Sequence, residues 1–113
     1  LEVMHWHGDT FDLPAGALRL ASSKGCRNQG FVAGATVLAL QFHLETTRQG
    51  LKVLIAHCGA EITKGPFIQQ PEAMLADEAR FGAVNRLMHH LLEAWTAGLA
   101  PPSPHPSNQK MTL

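Results

Sequence analysis

The apolar positions of this 113-residue chain change their period once, near residue 46. Before that point, short apolar runs are divided by Gly, Pro, Asn and Ser; after it, apolar residues recur every three or four positions. Leu1–Trp6 reads as a strand that the chain leaves through the turn-prone His7-Gly8-Asp9. Pro14-Ala15-Gly16 punctuates a loop, Ala17–Ser23 alternates as a second strand, Lys24-Gly25 turns, and Gln29–Ala33 is a weak third strand. Gly34-Ala35 then offers a tight hairpin connection into Thr36–Phe42, whose run Val37–Gln41 is apolar enough for a buried central strand. Strands joined this closely are antiparallel, because parallel neighbours need a crossover of a dozen or more residues.

The second half is helical in pattern. Thr46–Cys58 places Leu51, Leu54 and Ile55 at helical spacing and is expected to stop near Gly59. Gly65-Pro66 to Pro71 is a linker. From Glu72 to about Ala97 one long amphipathic helix is expected, its stripe formed by Met74, Phe81, Val84, Leu87, Met88, Leu91, Leu92 and Trp95. Core packing accounts for such a stripe. The segment Ala100–Leu113 holds four prolines and is expected to be a disordered tail, which leaves 1–99 as the domain. There is no internal repeat. A chain that opens at Leu1, inside a strand, is expected to be a fragment lacking its N-terminal part.

Charge and cysteine usage narrow the class. Nine basic residues balance nine acidic ones, so no electrostatic footprint points to nucleic acid or an anionic membrane. No apolar run approaches the roughly 20 residues that span a bilayer, and no signal peptide is visible. Two cysteines, Cys26 and Cys58, make no disulfide framework, and a cytoplasmic setting is the expectation.

The candidate chemistry sits where the apolar run Val37–Gln41 ends, at His43 and Glu45. Residues two apart in extended backbone project to one side, so the carboxylate can hold the imidazole tautomer and stabilise its protonated form. A strand-end histidine followed by a helix-starting glutamate is the plainer account of an isolated H-x-E. A metal site is a further alternative, with His5, His7, His43 and Glu45 as ligands. Against it, a metal-binding barrel needs more strands than this chain offers and has no place for the long helix. His89-His90 falls on the margin of the helical stripe, His57 and His105 have no identifiable partner, and Trp95 reads as packing.

The blocks His5-Trp6-His7-Gly8-Asp9, Leu13-Pro14, Ala21-Ser22-Ser23, Asn28-Gln29-Gly30-Phe31 and Gln41-Phe42-His43-x-Glu45 are specific as an ordered set. Over about residues 3–75 the chain resembles class I (triad-type) glutamine amidotransferases, most of all stand-alone members similar to the amidotransferase domain of GMP synthase. The resemblance implies an α/β, flavodoxin-like fold: an open, mostly parallel sheet flanked by helices, of which this chain is the C-terminal half. Ala17–Phe42 would be a small antiparallel excursion from that sheet. It implies His43 as general base for a cysteine nucleophile and Glu45 as the acid that orients it. Trp6, His7, Gly8 and Asp9 fall where the family lines its glutamine pocket. Glutamine would be the substrate, no cofactor or metal is implied, and an ammonia-accepting synthase domain or subunit would be the partner.

Two departures stand out. Leu44 occupies the position where the family usually has proline, a residue that would stiffen the turn. The family's nucleophile lies in a G-x-C-x-G elbow upstream of H-x-E, and neither Cys26, in Lys-Gly-Cys-Arg-Asn, nor Cys58, on the first helix, fits it. Both read as structural or incidental thiols. Relatives of this fold also cleave γ-glutamyl peptides or serve as non-catalytic scaffolds; the presence of His43 and Glu45 argues against the scaffold.

Overall fold

A computed structural model describes residues 1–98, with three strands followed by helices: β1 (Leu18–Ala21), β2 (Gly30–Ala33), β3 (Val37–Leu40), α1 (Arg48–Cys58), α2 (Pro71–Leu75) and α3 (Glu78–Ala97). The expected tail Ala100–Leu113 lies outside the described residues. The strands form one sheet in the order β1-β2-β3, antiparallel throughout, with Phe31 opposite Arg19 on one side and Ala39 on the other. This is the excursion that the sequence places at Ala17–Phe42. The parallel part of the expected open sheet has no counterpart among the described residues, where every pairing of named strands is antiparallel.

The hairpin between β2 and β3 has a three-residue turn rather than two, since Ala33 still pairs with Val37 and Gly34 takes φ 58°. Only glycine adopts that left-handed conformation without cost. Gly30 is required for a different reason: a Cβ there would stand 2.9 Å from the Ala39 carbonyl oxygen on the neighbouring strand. β3 is shorter than expected and is an edge strand, not a buried central one; Val37 remains 47% exposed. An edge strand of a three-stranded sheet has one neighbour, so an apolar run there does not guarantee burial.

Leu1–Trp6 does not form a strand here. A strand is defined by its ladder, and this segment makes a single bridge, Met4 to His43, in which His43 N–H donates to the Met4 carbonyl at 2.9 Å.

Helix α1 begins two residues later than its pattern suggests because Thr47 caps it, its hydroxyl accepting from Gly50 N–H at 3.0 Å. Gly59 does not end it in a left-handed cap; at φ −60° it continues into a 3-10 turn over Gly59–Glu61. The single long helix expected from Glu72 is two helices. Asp77, at φ −114° and ψ 106°, leaves helical space and its carboxylate accepts from Ala79 N–H at 2.9 Å, restarting the chain as α3. Asp77 is polar in a pattern that tolerates polar residues, so the stripe alone could not reveal the break.

Arg80 closes the gap. It donates to the Ala73 and Met74 carbonyls at the end of α2, at 3.0 and 3.2 Å, and pairs with Glu2 in the N-terminal segment. On α3 the inward side is Phe81, Val84, Met88, Leu91 and Trp95, while Leu87 and Leu92, also expected on the stripe, are exposed. The most deeply buried apolar residues are Ala17, Leu44, Leu51 and Val84. Leu44 lies in the connection from sheet to helices and sets the direction of its neighbours.

Candidate functional site

The chain leaves β3 through one more backbone bond, Gln41 N–H to the Gln29 carbonyl at 2.8 Å, and bends at Gln41-Phe42. His43 then bridges Met4, Leu44 turns inward with only 3% of its surface exposed, and Glu45 turns outward. With Leu44 buried, His43 and Glu45 stand together on the open side of the bend. The pair meets: His43 Nδ1 lies 2.6 Å from Glu45 Oε1. A carboxylate only accepts, so Nδ1 carries the proton, and in the neutral imidazole the lone pair is then on Nε2.

Several groups hold Glu45 in its charged form. Burial pushes its pKa up, but the hydrogen bond from His43, the N–H groups of Glu45 and Leu44, and the charge on His43 together bring it below the usual glutamate value. Both side chains of the pair are open to solvent, 40% exposed for His43 and 58% for Glu45.

The backbone under the pair is anchored from α3. Asn85 Nδ2 donates to the Leu44 carbonyl at 2.7 Å and to the Thr46 carbonyl at 3.2 Å. The sequence reading did not single out this residue. Its signal was present: a carboxamide between Val84 and Met88, on the side of the helix that faces inward.

The strand-exit residues divide. Trp6 turns to the 3-10 turn after α1, its indole N–H donating to Glu61 Oε2 at 3.5 Å. His7 folds back on its own loop, Nδ1–H donating to the Asp9 carbonyl at 2.9 Å. His7, Gly8 and Asp9, together with Cys26 and Asn28, line one cleft. Gly8 faces open space, where an added Cβ would meet nothing within 4 Å. A neighbouring, larger cleft is lined by His5 and His7 with Ser23, Cys26, Gln29 and Phe67.

Asn28 fixes this loop against the sheet, donating to the Phe11 carbonyl at 2.7 Å and accepting from Arg19 Nε at 3.0 Å. Cys26 is a free thiol held locally, 3.2 Å from the Thr10 hydroxyl and 3.4 Å from the Asn28 carbonyl. Cys58 ends α1.

His5 joins the two halves of the site. Its ring lies 5.6 Å from that of His7 and edge-on to Phe42 at 6.1 Å. Burial, and then the charges of His7 and His43, lower its pKa below the ordinary histidine value, so it favours the neutral form. Five of the six candidates thus come into two groups, His43 with Glu45 and His7, Gly8 and Asp9 along the cleft, while Trp6 is turned toward Glu61. The alternative metal site finds no ligand set, since no group of three or more His, Cys, Asp or Glu is placed to hold an ion among the described residues.

No protein-family model matches the chain. Over 62 residues it is 39% identical to the glutamine amidotransferase-like protein YfeJ of Salmonella typhimurium, a match covering 55% of this chain and 26% of that protein. Its fold matches a glutamine amido transferase from Methylobacillus flagellatus with a TM-score of 0.84 at 26% identity, covering 96% of this chain and 47% of that one. A glutamine amidotransferase from Thermotoga maritima matches with a TM-score of 0.72 at 38% identity, covering 84% and 40%. The chain therefore spans about a quarter of the curated relative and under half of each solved structure. In sequence and in fold, this chain is similar to part of these glutamine amidotransferases.

Proposed function

We propose that this chain carries the base side of a glutaminase site, with His43 as general base and acid, Glu45 as its orienting partner, and a cysteine outside this chain as nucleophile. One observation carries the reading: the 2.6 Å contact that protonates Nδ1 toward Glu45 and leaves Nε2 available. His43 Nε2 takes the thiol proton, and the thiolate sulfur attacks the side-chain amide carbon of glutamine. As the carbon–nitrogen bond breaks, His43 gives the proton to the nitrogen, which leaves as ammonia. Water, deprotonated by the same imidazole, then cleaves the thioester to glutamate and restores the thiol. The oxyanion of each tetrahedral intermediate needs backbone N–H donors, which we assign to the same part of the protein as the nucleophile.

The loop Trp6–Asp9 would line the glutamine pocket, with His7, Gly8 and Asp9 contributing through the cleft they share with Asn28. Its path, pinned by Asn28 to β1, matters more in this reading than the Trp6 side chain, which is turned toward Glu61. The ammonia would pass to a synthase domain or subunit. The test is glutamine hydrolysis by the full protein: His43→Ala should lower kcat by roughly 10²–10⁴-fold while the fold is kept. Activity within about tenfold of wild type would remove His43 from the mechanism.

A further inference from the structure

The pair His43–Glu45 is exposed, and an exposed ion pair does little to hold its own geometry. What fixes it must come from beneath. Two N–H bonds of Asn85 reach from α3 to the carbonyls of Leu44 and Thr46, the residues on either side of Glu45. Both partners are acceptors, which settles the orientation of the carboxamide, and a single Nδ2 with two hydrogens in one plane can serve both. The half-buried Asn85 thereby satisfies both donors of a polar group that would otherwise be costly on an inward helical face. Its bonds close on the one short segment that carries the acid of the pair.

The other anchors of that segment lie to either side of the same point. Leu44 is buried and Thr47 caps α1, so Glu45 is the outward residue of a span fixed on both flanks. We infer that Asn85 is a positioning residue for the His43–Glu45 pair, acting through the backbone of residues 44–46; this rests on the role proposed for that pair. Without it, the carbonyls of Leu44 and Thr46 lose their donor. The Glu45 carboxylate then no longer stands at a fixed distance from Nδ1, and the imidazole can take its proton on Nε2 instead. That tautomer cannot accept a thiol proton at Nε2.

The tautomer is the readout. In the full protein labelled with ¹⁵N-histidine, the ring nitrogen shifts of His43 at alkaline pH, where imidazole is neutral, distinguish Nδ1–H from Nε2–H. Wild type should be mainly Nδ1–H, and Glu45→Gln sets the scale for loss of the partner. Asn85→Leu, which keeps the size and removes the donors, should move His43 toward Nε2–H by an amount comparable to Glu45→Gln. It should also lower kcat for glutamine by about tenfold with KM within about twofold. Asn85→Ala is the second variant, in case leucine is not accommodated.

A wild-type tautomer population in either folded variant overturns the inference. So does failure of both to fold, since the bonds would then serve the fold at large rather than this pair. Wild-type protein with no glutamine turnover would sink the glutaminase reading while leaving the tautomer comparison standing.

Discussion

Asn85 and Leu44 lie 41 residues apart in the chain and are joined by a 2.7 Å hydrogen bond from the Asn85 amide to the Leu44 carbonyl. The bond ties the last helix to the turn that leaves the sheet, and Leu44 itself is 3% exposed. Both ends of this connection therefore sit in the part of the molecule where packing is least forgiving.

Leu44→Ala should cost about 2–5 kcal/mol of stability, the usual range for deleting a buried leucine side chain whose site collapses only partly. Chemical denaturation checks it, with an unchanged denaturant slope. A cost below about 1 kcal/mol would mean that Leu44 does not anchor the turn.

Glu45 gives a pH signature of determinate sign. Its folded pKa lies below the unfolded reference of 4.5, so the unfolded state binds the proton first as pH falls. The stabilisation is present above 4.5 and is lost as pH drops through the lower folded value. Melting temperatures of wild type and Glu45→Gln should therefore differ by a constant amount above that window and converge below it. A difference that grew on acidification would reverse the assigned sign.

His5 should shift stability in the same direction as Glu45, in a higher pH window. Its folded pKa is lowered from 6.5, mainly by burial, so the unfolded state takes up a proton first as pH falls below 6.5. Stability is thereby lost on acidification from neutral pH, and His5→Gln should flatten that part of the melting-temperature profile. An unchanged slope between neutral pH and the lowered folded value would show that the imidazole is not desolvated.

Gly30→Ala should loosen β2 from β3. The new methyl would stand 2.9 Å from a backbone oxygen, which no rotamer change can relieve. A loss of about 1–3 kcal/mol is expected, with faster amide exchange at Leu40 and Leu38 across the pair. Wild-type exchange there would mean that the strands sit farther apart than this.

The 113-residue chain assayed by itself should release no ammonia from glutamine, because neither of its thiols stands in an elbow motif and the proposed base has no matched nucleophile in it. A glutamine-like electrophile that labels active-site cysteines should leave Cys26 and Cys58 unmodified. Labelling of either thiol that disappears in His43→Ala would relocate the nucleophile to this chain.

What the sequence makes legible follows from how local each cause is. The three strands, their antiparallel order and the helical character of the second half rest on turns and periods within a few residues, and they were readable. His43 and Glu45 were readable as a pair because two residues this near in sequence meet across the one buried Leu44 between them. The break at Asp77 was hidden, since a capping aspartate and a solvent-facing one look alike in an amphipathic pattern. The strand expected at Leu1–Trp6 depends on partners distant in sequence, and here only Met4 finds one. Asn85 shows locally only as a carboxamide on an inward helical side; its partners, 41 and 39 residues away, are not reported by anything near it.

The inward Leu44 between two outward ionisable groups has one more consequence. Leu44 faces inward between neighbours that face outward, so a slip of one residue in this turn would carry an ionisable side chain toward the core and expel the leucine. The ionisable group would lose water while an apolar side chain gained it. The turn is thus proofread by solvation: the misregistered form is penalised at both positions together, and a chain that has buried Leu44 has already brought the imidazole and the carboxylate out on the same side.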